Sequence, residues 1–124
     1  MILVDTSVWI DHLRKGNSAL AAHLSAGEVL THPLIIEEIA CGHLSHRNEI
    51  LSLLEALPVA PIASHHEILG LISGEGLGGS GIGAVDTHLL ASARLASVMI
   101  WSRDKALVRV AKKLGVLASK TVGT

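Results

Sequence analysis

The chain has 124 residues, of which 49% are hydrophobic, and its ten Lys and Arg residues nearly balance its eleven Asp and Glu residues. A single domain over residues 1–124 is expected, and because Cys41 is the only cysteine, an intramolecular disulfide or a thiolate zinc cluster is excluded. Without Phe or Tyr, and with two Trp residues, the chain has little capacity to bind single-stranded nucleic acid by stacking bases on aromatic rings.

The first half of the chain alternates short apolar runs with amphipathic segments. The runs predict strands over residues 2–4, 29–31 and 59–62. The amphipathic segments predict helices over residues 8–15, 18–26, 34–43 and 48–57. Thr6 and Ser7 are expected to cap the first of these helices, and Pro33 suits the first turn of the third.

The second half continues the alternation after a glycine-rich interruption. Helices are predicted over residues 67–73, 85–96 and 105–114, and strands over residues 98–101 and 116–117. Residues 74–83 contain six glycines and read as a loop. Strands that alternate with helices predict an α/β fold, a three-layer α/β/α sandwich around a mainly parallel sheet. No run approaches the roughly 18 uncharged residues of a membrane span, so no membrane segment is expected. Because the single cysteine suits a reducing compartment, a cytoplasmic location is the default expectation.

Four acidic residues lie where an apolar segment meets a polar one. Asp5 and Asp104 follow predicted strands, and Glu38 and Asp86 lie near the starts of predicted helices. Because ligand sites of parallel sheets lie beyond the carboxyl ends of the strands, we expect all four at one edge. Close carboxylate pairs repel by about 4 kcal/mol at an effective dielectric near 20, so a cation is the usual reason to gather them.

Oxygen ligands without His or Cys favour Mg²⁺ or Mn²⁺ over zinc. Such ions can orient a phosphodiester and activate water for an in-line displacement. Asp5 and Asp104 are the expected direct ligands, and Glu38 and Asp86 would bind a second ion or bound waters. Each acid taken alone has a structural alternative: Asp5 and Asp104 as helix caps, Asp86 as a favourable charge at a helix start, and one of Glu37 and Glu38 as a solvated side chain.

Charge is unevenly distributed along the chain. Residues 1–86 hold ten acids and three bases, whereas Asp104 is the one acid among residues 87–124. The bases of that second segment are Arg94, Arg103, Lys105, Arg109, Lys112, Lys113 and Lys120. A basic segment beside an acidic metal site suits a polyanionic substrate, and a solvated helix face is the alternative.

Four sequence blocks together resemble PIN-domain proteins of the VapC toxin type. They are Leu3-Val-Asp-Thr-Ser-Val-Trp-Ile-Asp11, Glu38-Ile-Ala-Cys-Gly42, Val85-Asp-Thr-His-Leu-Leu-Ala-Ser-Ala93 and Ser102-Arg-Asp104. The resemblance spans residues 3–108. It implies a PIN-like fold and a Mg²⁺- or Mn²⁺-dependent endoribonuclease that cleaves structured RNA such as tRNA or rRNA. It also implies a homodimer paired with a VapB-type antitoxin.

Carried over by position, the resemblance makes Asp5, Glu38, Asp86 and Asp104 the catalytic and metal-binding acids, with Thr6 or Ser7 hydrogen-bonded nearby. Two predicted helices could offer the antitoxin a groove, through Trp9 on residues 8–15 and through Leu20 and Leu24 on residues 18–26. The alternative is that these side chains are core. A non-catalytic PIN-like module that binds RNA or protein is the competing function, and loss of an acid would be its signature.

Overall fold

A computed structural model of the protein describes residues 1–119, which form a parallel sheet packed against helices. The strands are β1 (Ile2–Val4), β2 (Val29–Leu30) and β3 (Met99–Trp101). The helices are α1 (Thr6–Lys15), α2 (Ser18–Ser25), α3 (Pro33–Ala40), α4 (Arg47–Glu55), α5 (His65–Gly74), α6 (Ala84–Ala96) and α7 (Lys105–Lys113). The predicted three-layer α/β/α architecture is confirmed. Within residues 1–119, no helix has the length and apolarity that crossing a bilayer requires.

The sheet has the strand order β2-β1-β3, and both pairings are parallel. Two isolated parallel bridges extend it, pairing Thr31 with Val59 and Ile100 with Leu117. The strands predicted over residues 59–62 and 116–117 are therefore reduced to one bridging residue each. For the first, the reason is that Pro58 and Pro61 flank the bridge and have no N–H to donate to a ladder.

The core covers both faces of the sheet. Every strand residue is buried except Met99, a pattern that parallel strands show when helices pack on both sides. Trp9 and Leu20 are also buried, 5% and 0% exposed. Of the three side chains predicted to form a groove, Leu20 belongs wholly to the core. Trp9 is mostly buried and Leu24 is partly buried, and both line an apolar groove of the described residues.

Two helix boundaries differ from the prediction in ways that affect the acidic residues. Helix α1 begins at Thr6 with Asp5 as its N-cap, so Thr6 and Ser7 are inside the helix. Helix α3 ends at Ala40, three residues early, where the Arg47 guanidinium donates to the Ala40 carbonyl oxygen at 2.6 Å. An end-of-helix carbonyl is thereby satisfied from the next element. Glu38 is the sixth residue of this eight-residue helix, so it lies in the second turn and not near the start.

His32 begins α3 from within the core. It is 1% exposed, and its Nδ1 accepts the backbone N–H of Leu34 at 3.0 Å as the N-cap. Burial, and then the charge of neighbouring His88, lower the pKa of His32 below its usual range. The imidazole is therefore neutral in the folded protein at a pH where the unfolded chain is already partly protonated.

We expect the His32→Asn variant, which keeps an N-cap acceptor, to lose less stability on acidification than the wild type. A lowered histidine pKa contributes stability that is present above about pH 6.5 and is lost as the pH falls from there. Urea unfolding at pH 7.5 and pH 5.5 measures the difference. Equal changes in unfolding free energy for both proteins would contradict it.

Candidate acidic metal site

The four predicted acids come from four different elements. Asp5 ends β1 and caps α1, and Asp104 follows β3 and caps α7. Asp86 lies in the first turn of α6, and Glu38 projects from the second turn of α3. Because β1 and β3 are parallel neighbours, Asp5 and Asp104 leave the sheet at the same edge.

Asp5 is the most buried of the four, at 4% exposed. Its Oδ2 accepts the hydroxyl of Ser7 at 2.7 Å and the hydroxyl of Ser102 at 2.8 Å. The Ser7 backbone N–H adds a longer contact of 3.4 Å to the same oxygen. The predicted cap role of Asp5 is therefore real, although two side-chain hydroxyls hold the carboxylate more closely than the helix N–H does.

The same two hydroxyls also fix the turn that leads into α7. Ser102 accepts the backbone N–H of Asp104 at 3.0 Å, and Ser7 accepts the backbone N–H of Arg103 at 2.9 Å. Asp5 and Asp104 are thus connected through Ser102. This role of Ser102 was not predicted, although a serine two residues before a capping aspartate is a sequence signal for it.

The structure distinguishes Glu38 from Glu37, which helix geometry did not. Thr6 donates its hydroxyl to Oε1 of Glu38 at 2.6 Å. Glu37 makes no side-chain hydrogen bond or ion pair with any residue from 1 to 119. Of the predicted pair Thr6 and Ser7, both contact an acid: Thr6 contacts Glu38 and Ser7 contacts Asp5.

Asp86 shows that the four carboxylates share one electrostatic environment. Burial, and then the charges of Asp5, Asp104 and Glu38 in that order of size, together raise the pKa of Asp86 to about 6. A backbone hydrogen bond from Gly83 partly opposes them. A carboxyl whose charge is disfavoured by three other acids is a candidate for a functional site.

The donor set suits a hydrated hard cation. Asp104 accepts the Leu107 N–H through Oδ1 at 3.0 Å. Asp5, Glu38 and Asp104 therefore each have one carboxylate oxygen that accepts a hydrogen bond from the protein. Their second oxygens make no hydrogen bond within residues 1–119. In that range no three His, Cys, Asp or Glu side chains form a ready ligand set for one ion. Mg²⁺ is commonly held by one or two carboxylates while it keeps several waters, which this arrangement fits.

The PIN domain family matches residues 2–113, and the chain belongs to this family. Within it the chain is of the VapC type: ribonuclease VapC32 of Mycobacterium tuberculosis, strains CDC 1551 and H37Rv, is 43% identical over 123 residues. That match covers 98% of this chain and 99% of the relative.

Two solved structures share the fold. FitAcB from Neisseria gonorrhoeae has a TM-score of 0.64 and 21% identity, covering 90% of this chain and 94% of that one. FitAB bound to an IR36 DNA fragment has a TM-score of 0.63 and 21% identity, covering 90% and 91%.

We expect Asp86→Asn to stabilise the metal-free protein at pH 7 by about 1–3 kcal/mol. Because the folded pKa of Asp86 lies above its unfolded value of 3.8, wild-type stability should fall as the pH rises from about 4 to about 6 and then level off. The gain from the substitution should therefore vanish near pH 4. Urea unfolding in EDTA at pH 4 and pH 7 tests this. A variant less stable than wild type at pH 7 would contradict it.

Proposed function

We propose that this chain is a Mg²⁺- or Mn²⁺-dependent endoribonuclease and the toxin of a VapBC-type toxin–antitoxin pair, with one PIN domain over residues 1–124. The carrying observation is that Asp5, Glu38 and Asp104, which come from three other elements, each lie close enough to Asp86 for their charges to raise its pKa. The name of the 43% identical relative, a ribonuclease, supports the reaction class. Retention of all four acids speaks against the alternative, a non-catalytic RNA- or protein-binding module.

In this proposal, Asp5, Glu38, Asp86 and Asp104 are the catalytic and metal-binding residues. When bound, Mg²⁺ or Mn²⁺ supplies positive charge beside the phosphodiester and makes water more acidic. Asp5 and Asp104 offer their free oxygens from fixed positions, because Ser7, Ser102 and the N-terminus of α7 hold the other ones. Thr6 donates to one oxygen of Glu38, which would leave the other oxygen for the cation.

We expect the purified protein to cut total RNA with Mg²⁺ or Mn²⁺, and structured RNA such as tRNA or rRNA to be among its substrates. Asp5→Asn and Glu38→Gln should each lower the rate by about 100-fold or more, because each removes a charge on which the cation depends. Glu37→Gln is the matched control, since it changes the adjacent residue on the same helix without touching the site. Gel analysis of cleavage over time measures all four proteins.

Cleavage that persists in EDTA, or full activity in Asp5→Asn, would refute the metal-dependent mechanism. Equal losses in Glu37→Gln and Glu38→Gln would refute the assignment of Glu38. RNA binding without any cleavage would favour the non-catalytic module.

For the antitoxin we propose the groove between α1, α2 and α4. This cavity of about 250 Å³ is lined almost wholly by apolar side chains: Trp9, His12, Leu13, Leu24, Ile50, Leu53, Leu54 and Leu57. Leu53 is 70% exposed at its edge, although it is a large apolar residue. Exposed apolar surface of this kind is typical of protein interfaces. The homodimer implied by the family remains part of the proposal, without an assigned surface.

We expect Leu53→Asp to weaken binding of the cognate VapB-type antitoxin by about tenfold or more, because it places a charge in an apolar contact. Leu69→Asp is the control: Leu69 is a 48% exposed leucine on α5, away from the groove. Calorimetric titration of each variant with the antitoxin measures the affinities. Unchanged affinity in Leu53→Asp, or an equal loss in Leu69→Asp, would remove the groove from the proposal.

A further inference from the structure

Most lysine and arginine side chains of the described residues are held by partners within the chain. Three form ion pairs, namely Lys15 and Arg103 with Asp11, and Arg94 with Glu75. Three donate to backbone carbonyls, namely Arg47 to residues 40 and 42, Arg109 to Ser80, and Lys113 to Glu75. Arg14, Lys105 and Lys112 make no ion pair or side-chain hydrogen bond within residues 1–119. The basic segment is thus used largely for internal structure.

Two of these three unpaired cations lie beside the acidic site. Lys105 is the first residue of α7, directly after Asp104. Arg14 is exposed and lines the same cavity as Glu38. Lys112 lies two turns further along α7. The acidic site therefore has one unpaired cation on the Asp104 side and another on the Glu38 side.

The cavity shared by Arg14 and Glu38 has a volume of about 480 Å³, which is within the usual range for small-ligand sites. Its walls are apolar side chains of α1, α3, α4 and the segment between the last two, including Leu13, Ile39 and Leu44. Its polar lining includes Arg14, Glu38, His43 and Ser45. These polar side chains distinguish the cavity from the almost wholly apolar groove between α1, α2 and α4.

We propose that this cavity is a nucleotide-binding subsite of the enzyme. Arg14 binds the phosphate next to the scissile one, the base of that nucleotide lies against Leu44, and Lys105 binds the phosphate on the opposite side. A guanidinium can pair with a phosphate and can also stack on a base. In a chain without Phe or Tyr, it can therefore take over the stacking that aromatic rings usually provide. The inference rests on the proposed ribonuclease function.

Binding is measured in the Asp5→Asn background, in which cleavage should be slower by about 100-fold or more, with a labelled RNA that carries a cleavage site mapped in total RNA. Arg14→Gln and Lys105→Gln should each weaken binding several-fold. Each should also reduce the slope of log affinity against log salt by about 0.7–0.9, the change expected for one lost phosphate contact. Lys112→Gln, the matched control on the same helix, should leave both quantities unchanged.

The base contact is tested in the cleavage-competent chain. Leu44→Trp fills the cavity and should alter the distribution of bases at the cut sites, as read by sequencing RNA ends. Arg14→Gln, an exposed substitution that leaves the core intact, should raise KM more than it lowers kcat.

Cleavage by the wild type with unaltered salt slopes in Arg14→Gln and Lys105→Gln would overturn the subsite while leaving the ribonuclease in place. Losses of affinity and salt slope in Lys112→Gln equal to those in Arg14→Gln and Lys105→Gln would also overturn it. They would indicate a general electrostatic attraction between the protein and RNA. If deuterium exchange shows that the antitoxin protects residues 42–45 and RNA does not, the cavity belongs to the protein partner and the subsite is wrong. A wild-type protein that neither binds nor cuts RNA would refute the proposed function and the subsite together.

Discussion

The site depends first on one buried carboxylate, Asp5, and on the two serines that hold it. A buried carboxylate is unfavourable by several kcal/mol unless its oxygens are hydrogen-bonded, and Ser7 and Ser102 provide the needed donors at 2.7 and 2.8 Å. Because the same hydroxyls accept backbone N–H groups of Arg103 and Asp104, ordering Asp5 also orders the turn between β3 and α7. The positions of Asp5 and Asp104 are therefore coupled, and a change at either serine affects both acids.

A comparison of Asp5 and Asp104 with Asp86 shows where folding and the proposed function conflict. Asp5 and Asp104 stabilise the fold as N-caps, so their placement has a structural benefit independent of any cation. Asp86 has no comparable benefit: its charge is opposed by burial and by the other three carboxylates, and one backbone hydrogen bond offsets this in part. Sequences depart from local stability at functional sites, and Asp86 is the residue where this chain departs most clearly. A cation would relieve the same repulsion that raises its pKa.

Sequence alone predicted what depends on local pattern. The alternation of strands and helices, the parallel sheet and the convergence of the acids all follow from periodicity and from the edge rule for parallel sheets. What it missed depends on contacts between distant segments. Arg47 ends α3 early, Thr6 selects Glu38 over its neighbour, and Ser102 reaches Asp5 across 97 positions of sequence. The strand predicted over residues 59–62 is a different case, because Pro58 and Pro61 could have been used to predict that it would be short.

The apolar groove and the cavity beside Glu38 are adjacent, because Leu13 and Ile50 line both. If the groove holds an antitoxin segment, the bound chain would lie one side chain away from Arg14 and Glu38. Inhibition would then require no conformational change at the acids, since a few further residues of the partner could cover the cavity and pair with Glu38. A basic or polar side chain would suit that position, because the second Glu38 oxygen has no hydrogen-bond partner within residues 1–119. In the proposed complex, this common wall would let one partner control the site through occupancy alone.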